Sequence, residues 1–148
     1  MFKPKKILTP TDFSEHSVRA VERALDLAGQ NDAEVVLLHV IDQDVQACNV
    51  DYCMTEDEVE RMEKRMVEGA KERLQKELEK FPMAKEIRLS TEVVKGIPYE
   101  EILKFQALNG VDLIVIASHG KSAIAKYFLG SVTSNVVKQA KCEVLLVK

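Results

Sequence analysis

The chain has 148 residues, 46% of them apolar and 30% charged, with a formal net charge of −3. That is the make-up of one soluble globular domain over 1–148, large enough to bury a core. An acidic balance with no basic stripe excludes a nucleic-acid or membrane-surface role; no apolar stretch reaches the roughly 18 residues of a membrane span, and Met1-Phe2-Lys3-Pro4 opens no signal-peptide h-region, so a cytoplasmic location is expected.

Lys6-Ile7-Leu8-Thr9 is a short apolar burst stopped by Pro10, and it predicts a first strand. Ser14 is placed to cap a helix, with Glu15 in the first turn favouring the helix dipole. Val18, Val21, Leu25 and Ala28 recur at helical spacing, and Gly29 is expected to end that helix. Val35 to Ile41 is continuously apolar, as in a strand buried on both faces of a parallel sheet. An irregular loop is expected from Asp42 to about Met54. Thr55 and Glu58 then form a capping box for a long helix. Its stripe is Val59, Met62, Met66, Ala70, Leu74, Leu78 and Phe81, broken off by Pro82. About 27 residues at 1.5 Å each give it a length of roughly 40 Å. Neither flank carries a sustained charge code, so a surface helix laid on a sheet is expected rather than a coiled coil.

Ile87, Leu89, Thr91 and Val93 alternate with polar residues, which predicts a half-exposed strand at a sheet edge. Pro98 suits the first turn of a helix carrying Ile102, Leu103 and Ala107, closed by Asn109-Gly110. Leu113 to Ala117 is a fully apolar strand. Ser131 to Ala140 is a helix carrying Val132, Val136 and Val137, and Val144 to Val147 is a fifth strand. Cys142 opens that last apolar run and reads as a small buried hydrophobe. Cys48 and Cys53 share the polar loop, without the spacing or the neighbouring histidine of a metal pair, and read as ordinary reduced thiols, a redox or intersubunit role being the alternative.

Strict alternation of strand and helix predicts a parallel sheet with helices on both faces. With an edge-like third strand, the order 3-2-1-4-5 fits best. The reversal then falls between strands one and four, and a ligand is expected at their C-terminal ends. Asp12 lies just past strand one. Its carboxylate can accept from an adenine amino group or a sugar hydroxyl, or it can cap the following helix. Past strand four come Ser118-His119-Gly120, nine residues, and Gly130-Ser131. Such glycines let backbone amides approach an anion, and a helix N-terminus offers free N–H groups to a phosphate. The alternative is a flexible turn with a serine cap. A β-branched residue at 130 is expected to be barred by a positive dihedral and by the phosphate space. Gly120-Lys121-Ser122 is no Walker A loop, because Val115 stands where that motif needs glycine. The dinucleotide fingerprint fails too, with no glycine after strand one.

The run Lys6 to Ser14 (Lys-Ile-Leu-Thr-Pro-Thr-Asp-Phe-Ser), Leu37 to Ile41, the Ser118-His119-Gly120 to Gly130-Ser131 spacing, and Glu143 to Lys148 together resemble the universal stress protein family over essentially the whole chain. The resemblance implies a Rossmann-like five-stranded domain that binds ATP and leaves room for Mg2+ held through the phosphates. By that resemblance Gly120, Gly130, Ser131 and the backbones of Val132 and Thr133 would hold the phosphates. Asp12 and the backbone of Val40 would meet the adenine and ribose side, with Pro10 and Thr11 lining the base. Ala117 stands where the family's first motif glycine belongs, and its methyl would weaken binding if the sugar approaches the backbone there. His119 is expected to donate a hydrogen bond at the phosphate loop rather than to act as a catalytic base. His39 reads as a satisfied core residue and His16 as solvated.

The expectation is thus a nucleotide-binding regulatory or stress-response protein. Its rivals are a nucleotide-free dimeric interaction module and a weak ATPase using His119. The last strand is nearly all apolar at a sheet edge, flanked only by Glu143 and Lys148, and invites pairing with a second copy as a homodimer through 143–148. Dimerisation through that strand is also what the family resemblance implies.

Overall fold

A computed structural model describes residues 1–43, 54–120 and 128–148. Cys48, Cys53, Lys121 and Ser122, with most of the expected loop after Asp42, lie outside the described residues. The strands are β1 (Lys6–Pro10), β2 (Glu34–Asp42), β3 (Leu89–Gly96), β4 (Leu113–Ala117) and β5 (Glu143–Val147). The helices are α1 (Glu15–Asn31), α2 (Glu56–Leu78), α3 (Pro98–Leu108) and α4 (Ser131–Gln139). All pairings are parallel and the order is β3-β2-β1-β4-β5, the order that the alternation predicts.

The sheet divides the core into two layers. Ile7, Val35, Leu37, Leu113 and Val115 pack on one face against Val21, Ala24 and Leu25 of α1 and Leu74 of α2. Leu8, Val36, Leu38, Ile114 and Ile116 pack on the other against Ile102 of α3 and Val136 of α4. Each such fully buried aliphatic side chain contributes about 1.5–3 kcal/mol relative to exposure. Small residues at Ser17, Ala20, Ala24 and Ala28 give α1 a narrow buried face, which lets it lie close to the sheet.

Helix starts follow the sequence closely. The Ser14 hydroxyl accepts from the Ser17 amide, and Thr55 and Glu58 form the reciprocal capping box. Helix ends do not. The helix expected to stop at Gly29 runs on to Asn31 and turns at Asp32 in the left-handed region (φ 53). Gly29 sits on the exposed face, where nothing opposes continuation. The long helix stops at Leu78, three residues before Phe81, and a 3-10 turn over Pro82–Glu86 follows. Only Ala70, Leu74 and Glu77 are buried along it, so the apolar stripe packs on the sheet near its C-terminal end alone. Ile87 lies outside β3. In α3 the buried partner of Ile102 is Gln106, whose amide donates to the Val111 carbonyl, while Ala107 is exposed.

Candidate functional site

β1 and β4 pair at Ile7–Leu113 and Leu8–Ile114 and then part toward their C-terminal ends. Parting there is what the reversal of winding direction requires, and such a switch point is where doubly wound sheets form their ligand crevice. β2 runs past its pairing with Pro10 at Leu38, so Val40 to Asp42 stand beyond the end of β1 as one wall. Pro10 is the last residue of β1, half-buried, and Val40 is half-buried beside Val94 of the edge strand.

Asp12 lies in the turn between β1 and α1. Its Oδ1 accepts from the Ser14 amide at 2.9 Å, and its Oδ2 lies directly against Gly120, in the space that a Cβ there would fill. Residues 12 and 120, far apart in sequence, therefore touch across the crevice. A side chain at 120 would displace the Asp12 carboxylate. Gly130 does not carry the positive dihedral expected of it; φ is −57 and ψ 152, values any residue adopts. An added Cβ at Gly130 would meet the Ser118 carbonyl at 3.7 Å and His119 Cα at 3.8 Å, ordinary contacts. The exclusion of a side chain at 130 thus cannot rest on backbone conformation.

Gly130 is itself the N-cap of α4, and among the described residues no side chain caps this helix, in contrast to α1 and α2. Ser131, Val132 and Thr133 form its first turn, where N–H groups lack intrahelical partners and the helix dipole is positive. The turn is fastened to β4 from both sides. The Thr133 hydroxyl donates to the Ala117 carbonyl at 2.7 Å, and the Gly130 amide donates to the Ser118 carbonyl at 3.0 Å. Ala117 is 5% exposed and its methyl belongs to the core layer under α1. His119 Nδ1 lies 2.9 Å from Ser118 Oγ, and among the described residues its Nε2 is buried without a hydrogen-bond partner. His16, expected to be solvated, is half-buried with its ring centroid 5.8 Å from that of His119.

Thr11 follows directly on β1. Its side chain is buried, and its hydroxyl donates to Glu77 Oε1 at 2.9 Å and accepts from the Phe13 amide at 3.0 Å. His39 Nδ1 bonds the Thr11 carbonyl at 2.8 Å, which satisfies one of its ring nitrogens. Glu77, Phe13 and Arg73 escape the sequence reading. The clue available was position: Glu77 falls on the buried stripe of α2, three residues after Leu74. Burial pushes its carboxyl above the usual carboxylate range, and the Thr11 hydrogen bond offsets part of that rise.

The model of the universal stress protein family matches residues 3–148. The chain belongs to the universal stress protein family. Among its relatives, universal stress protein MJ0577 of Methanocaldococcus jannaschii is 38% identical, over 97% of this chain and 94% of that one. The solved structure of MJ0577 superposes with a TM-score of 0.82 at 36% identity, covering 99% of this chain and 97% of that chain. A universal stress protein solved in complex with cAMP shares the fold, with a TM-score of 0.67 at 23% identity over 99% of this chain and 98% of that one. Family membership agrees with the order of the strands and with the resemblance carried by the loop spacing. Among the described residues, no helix is long and apolar enough to cross a membrane.

Proposed function

We propose that this universal stress protein binds an adenine nucleotide, ATP by preference, in the crevice between β1 and β4, and acts as a cytoplasmic, dimeric regulatory or stress-response protein. The observation that carries the reading is the meeting of Asp12 and Gly120 across the switch point, beside an α4 N-terminus that no side chain caps among the described residues. An acceptor for a sugar hydroxyl or amino group and a cluster of free amides for phosphates stand on the two walls of one crevice. The orphaned Nε2 of His119 adds a group that a bound phosphate or sugar would satisfy. The Ala117 methyl is packed in the core layer, so it leaves the crevice open. ATP would lie with its phosphates on Gly120, Gly130, Ser131 and the amides of Val132 and Thr133. Asp12 and the Val40 backbone would meet the ribose and base beside Pro10 and Thr11, and Mg2+ would enter held through the phosphates. That the same fold carries cAMP in another family member supports the adenine class.

Native mass spectrometry of freshly purified protein, followed by calorimetric titration with ATP, tests this. A co-purified adenine nucleotide, or saturable binding tighter than about 1 mM, is the expected result. Protein free of nucleotide that takes up no ATP would leave the interaction module as the function.

A further inference from the structure

The turn that carries Asp12 is held in a conformation it would not adopt alone. Phe13 has φ 64, a left-handed value that is a genuine outlier for a bulky side chain. Such backbone persists only where its surroundings over-determine it. Here the surroundings come from three elements. From β2, the His39 ring lies 4.4 Å from the Phe13 ring and bonds the Thr11 carbonyl. From α1, Ser17 Oγ lies 3.0 Å from Thr11 Oγ1. From α2, the Arg73 guanidinium sits 4.0 Å over the Phe13 ring, and Glu77, 3% exposed, accepts a hydrogen bond from the Thr11 hydroxyl at 2.9 Å. Leu74, fully buried between those two residues, anchors this turn of α2 in the core.

Thr11 Oγ1 therefore makes two directed hydrogen bonds, to Glu77 and from the Phe13 amide. It donates once, to Glu77, and has two acceptor sites, one for the Phe13 amide and one facing Ser17. Because a hydroxyl has a single proton, the Glu77 carboxyl decides its orientation and leaves the lone pairs for the turn. The Phe13 amide is thereby fixed on one side of Asp12 and the Ser14 amide, bonded to Asp12 Oδ1, on the other. We propose that Glu77, seated on α2 outside the crevice, is a positioning residue for the nucleotide site. Through Thr11 it holds the 11–14 turn so that the Asp12 carboxylate stays against Gly120. The inference rests on the nucleotide reading above and gives the buried carboxylate of α2 a role in it.

The test compares Glu77→Leu with Glu77→Gln, whose amide oxygen can still accept the Thr11 hydroxyl, in the full-length protein. ATP affinity is measured by calorimetry, and exchange of the Phe13 amide hydrogen is followed in the nucleotide-free protein. Glu77→Leu should lose about tenfold or more in ATP affinity, the scale of one charge-assisted hydrogen bond, while Glu77→Gln stays within about threefold of wild type. The Phe13 amide should lose protection in the leucine variant and keep it in the glutamine variant. If Glu77→Leu does not fold, Thr11→Val and Thr11→Ser repeat the comparison from the other end of the bond, serine being the rescuing variant. Wild-type affinity and wild-type Phe13 protection in a folded Glu77→Leu or Thr11→Val would overturn the proposal, and so would equal losses in the leucine and glutamine variants. Wild-type protein that takes up no ATP defeats the nucleotide reading instead, and the clamp is then judged on the Phe13 amide alone.

Discussion

Replacing Gly120 with alanine separates the two loop glycines by their physical roles. The new methyl would occupy the place of Asp12 Oδ2, and the carboxylate would have to retreat by about 1 Å to restore van der Waals separation. It is not free to do so, because Oδ1 is bonded to the Ser14 amide at 2.9 Å within a turn held by Thr11 and Phe13. Movement therefore forfeits the aim of Asp12 at its ligand. A hydrogen bond to a charged group contributes about 1.5–3 kcal/mol, which corresponds to roughly a 10- to 150-fold rise in Kd. Gly130→Ala makes the opposite case. Among the described residues its Cβ meets nothing closer than 3.7 Å and its backbone suits any residue, so a change of about threefold or less is expected. Calorimetric titration with ATP reads both variants, with thermal unfolding as the check that each is folded. Wild-type affinity in Gly120→Ala would refute the steric reasoning, and so would an equal loss in Gly130→Ala.

The buried carboxyl of Glu77 predicts how stability depends on pH. Burial raises its folded-state pKa above 4.5, so the native chain holds this proton more tightly than the unfolded chain does. Below that value both states are protonated and no penalty exists; as pH rises through the folded pKa, the charged form destabilises the native state. The stability of Glu77→Gln relative to wild type should therefore improve between about pH 4 and about pH 8 in urea unfolding, and a difference that does not change with pH would contradict it. At the far edge of the sheet, β5 pairs with β4 alone among the described residues, and Val144 to Val147 are all half-exposed in one copy. Sedimentation should show a homodimer at micromolar concentration and a monomer for Leu145→Pro, which removes a ladder donor; a wild-type monomer, or a folded dimeric variant, would overturn that edge as the interface.

The order of the sheet was legible because each strand shows its burial in its own letters. Val35 to Ile41 is apolar at every position but His39 and lies between two neighbours, whereas Leu89 to Val93 alternates and lies at the edge. Helix starts were legible for the same local reason, since Ser14 and Thr55 act on amides three residues away. The crevice itself followed from topology. What stayed hidden depends on distant pairs. Glu77 meets Thr11 across 66 positions, and a glutamate on a helix gives no sign of which way it turns. Phe13 takes a backbone value that its own side chain disfavours, imposed by Arg73, His39 and Thr11 together. Gly29 misled because a glycine on an exposed helix face costs only about 1 kcal/mol, which the buried face of α1 readily offsets.

The start of α4, uncapped among the described residues, bears on how long the molecule lasts. A nine-residue helix is too short to hold itself together in water, so its order is borrowed from Val136 in the core, from the Thr133 bond to β4, and from whatever meets its free amides. A ligand that binds only the native form adds RT ln(1 + [L]/Kd), about 2.7 kcal/mol when its concentration is a hundred times Kd. With the proposed nucleotide as that ligand, its supply would set the fraction of chains exposed to proteases at any moment, and the abundance of the protein would follow the energy state of its cell even at constant synthesis.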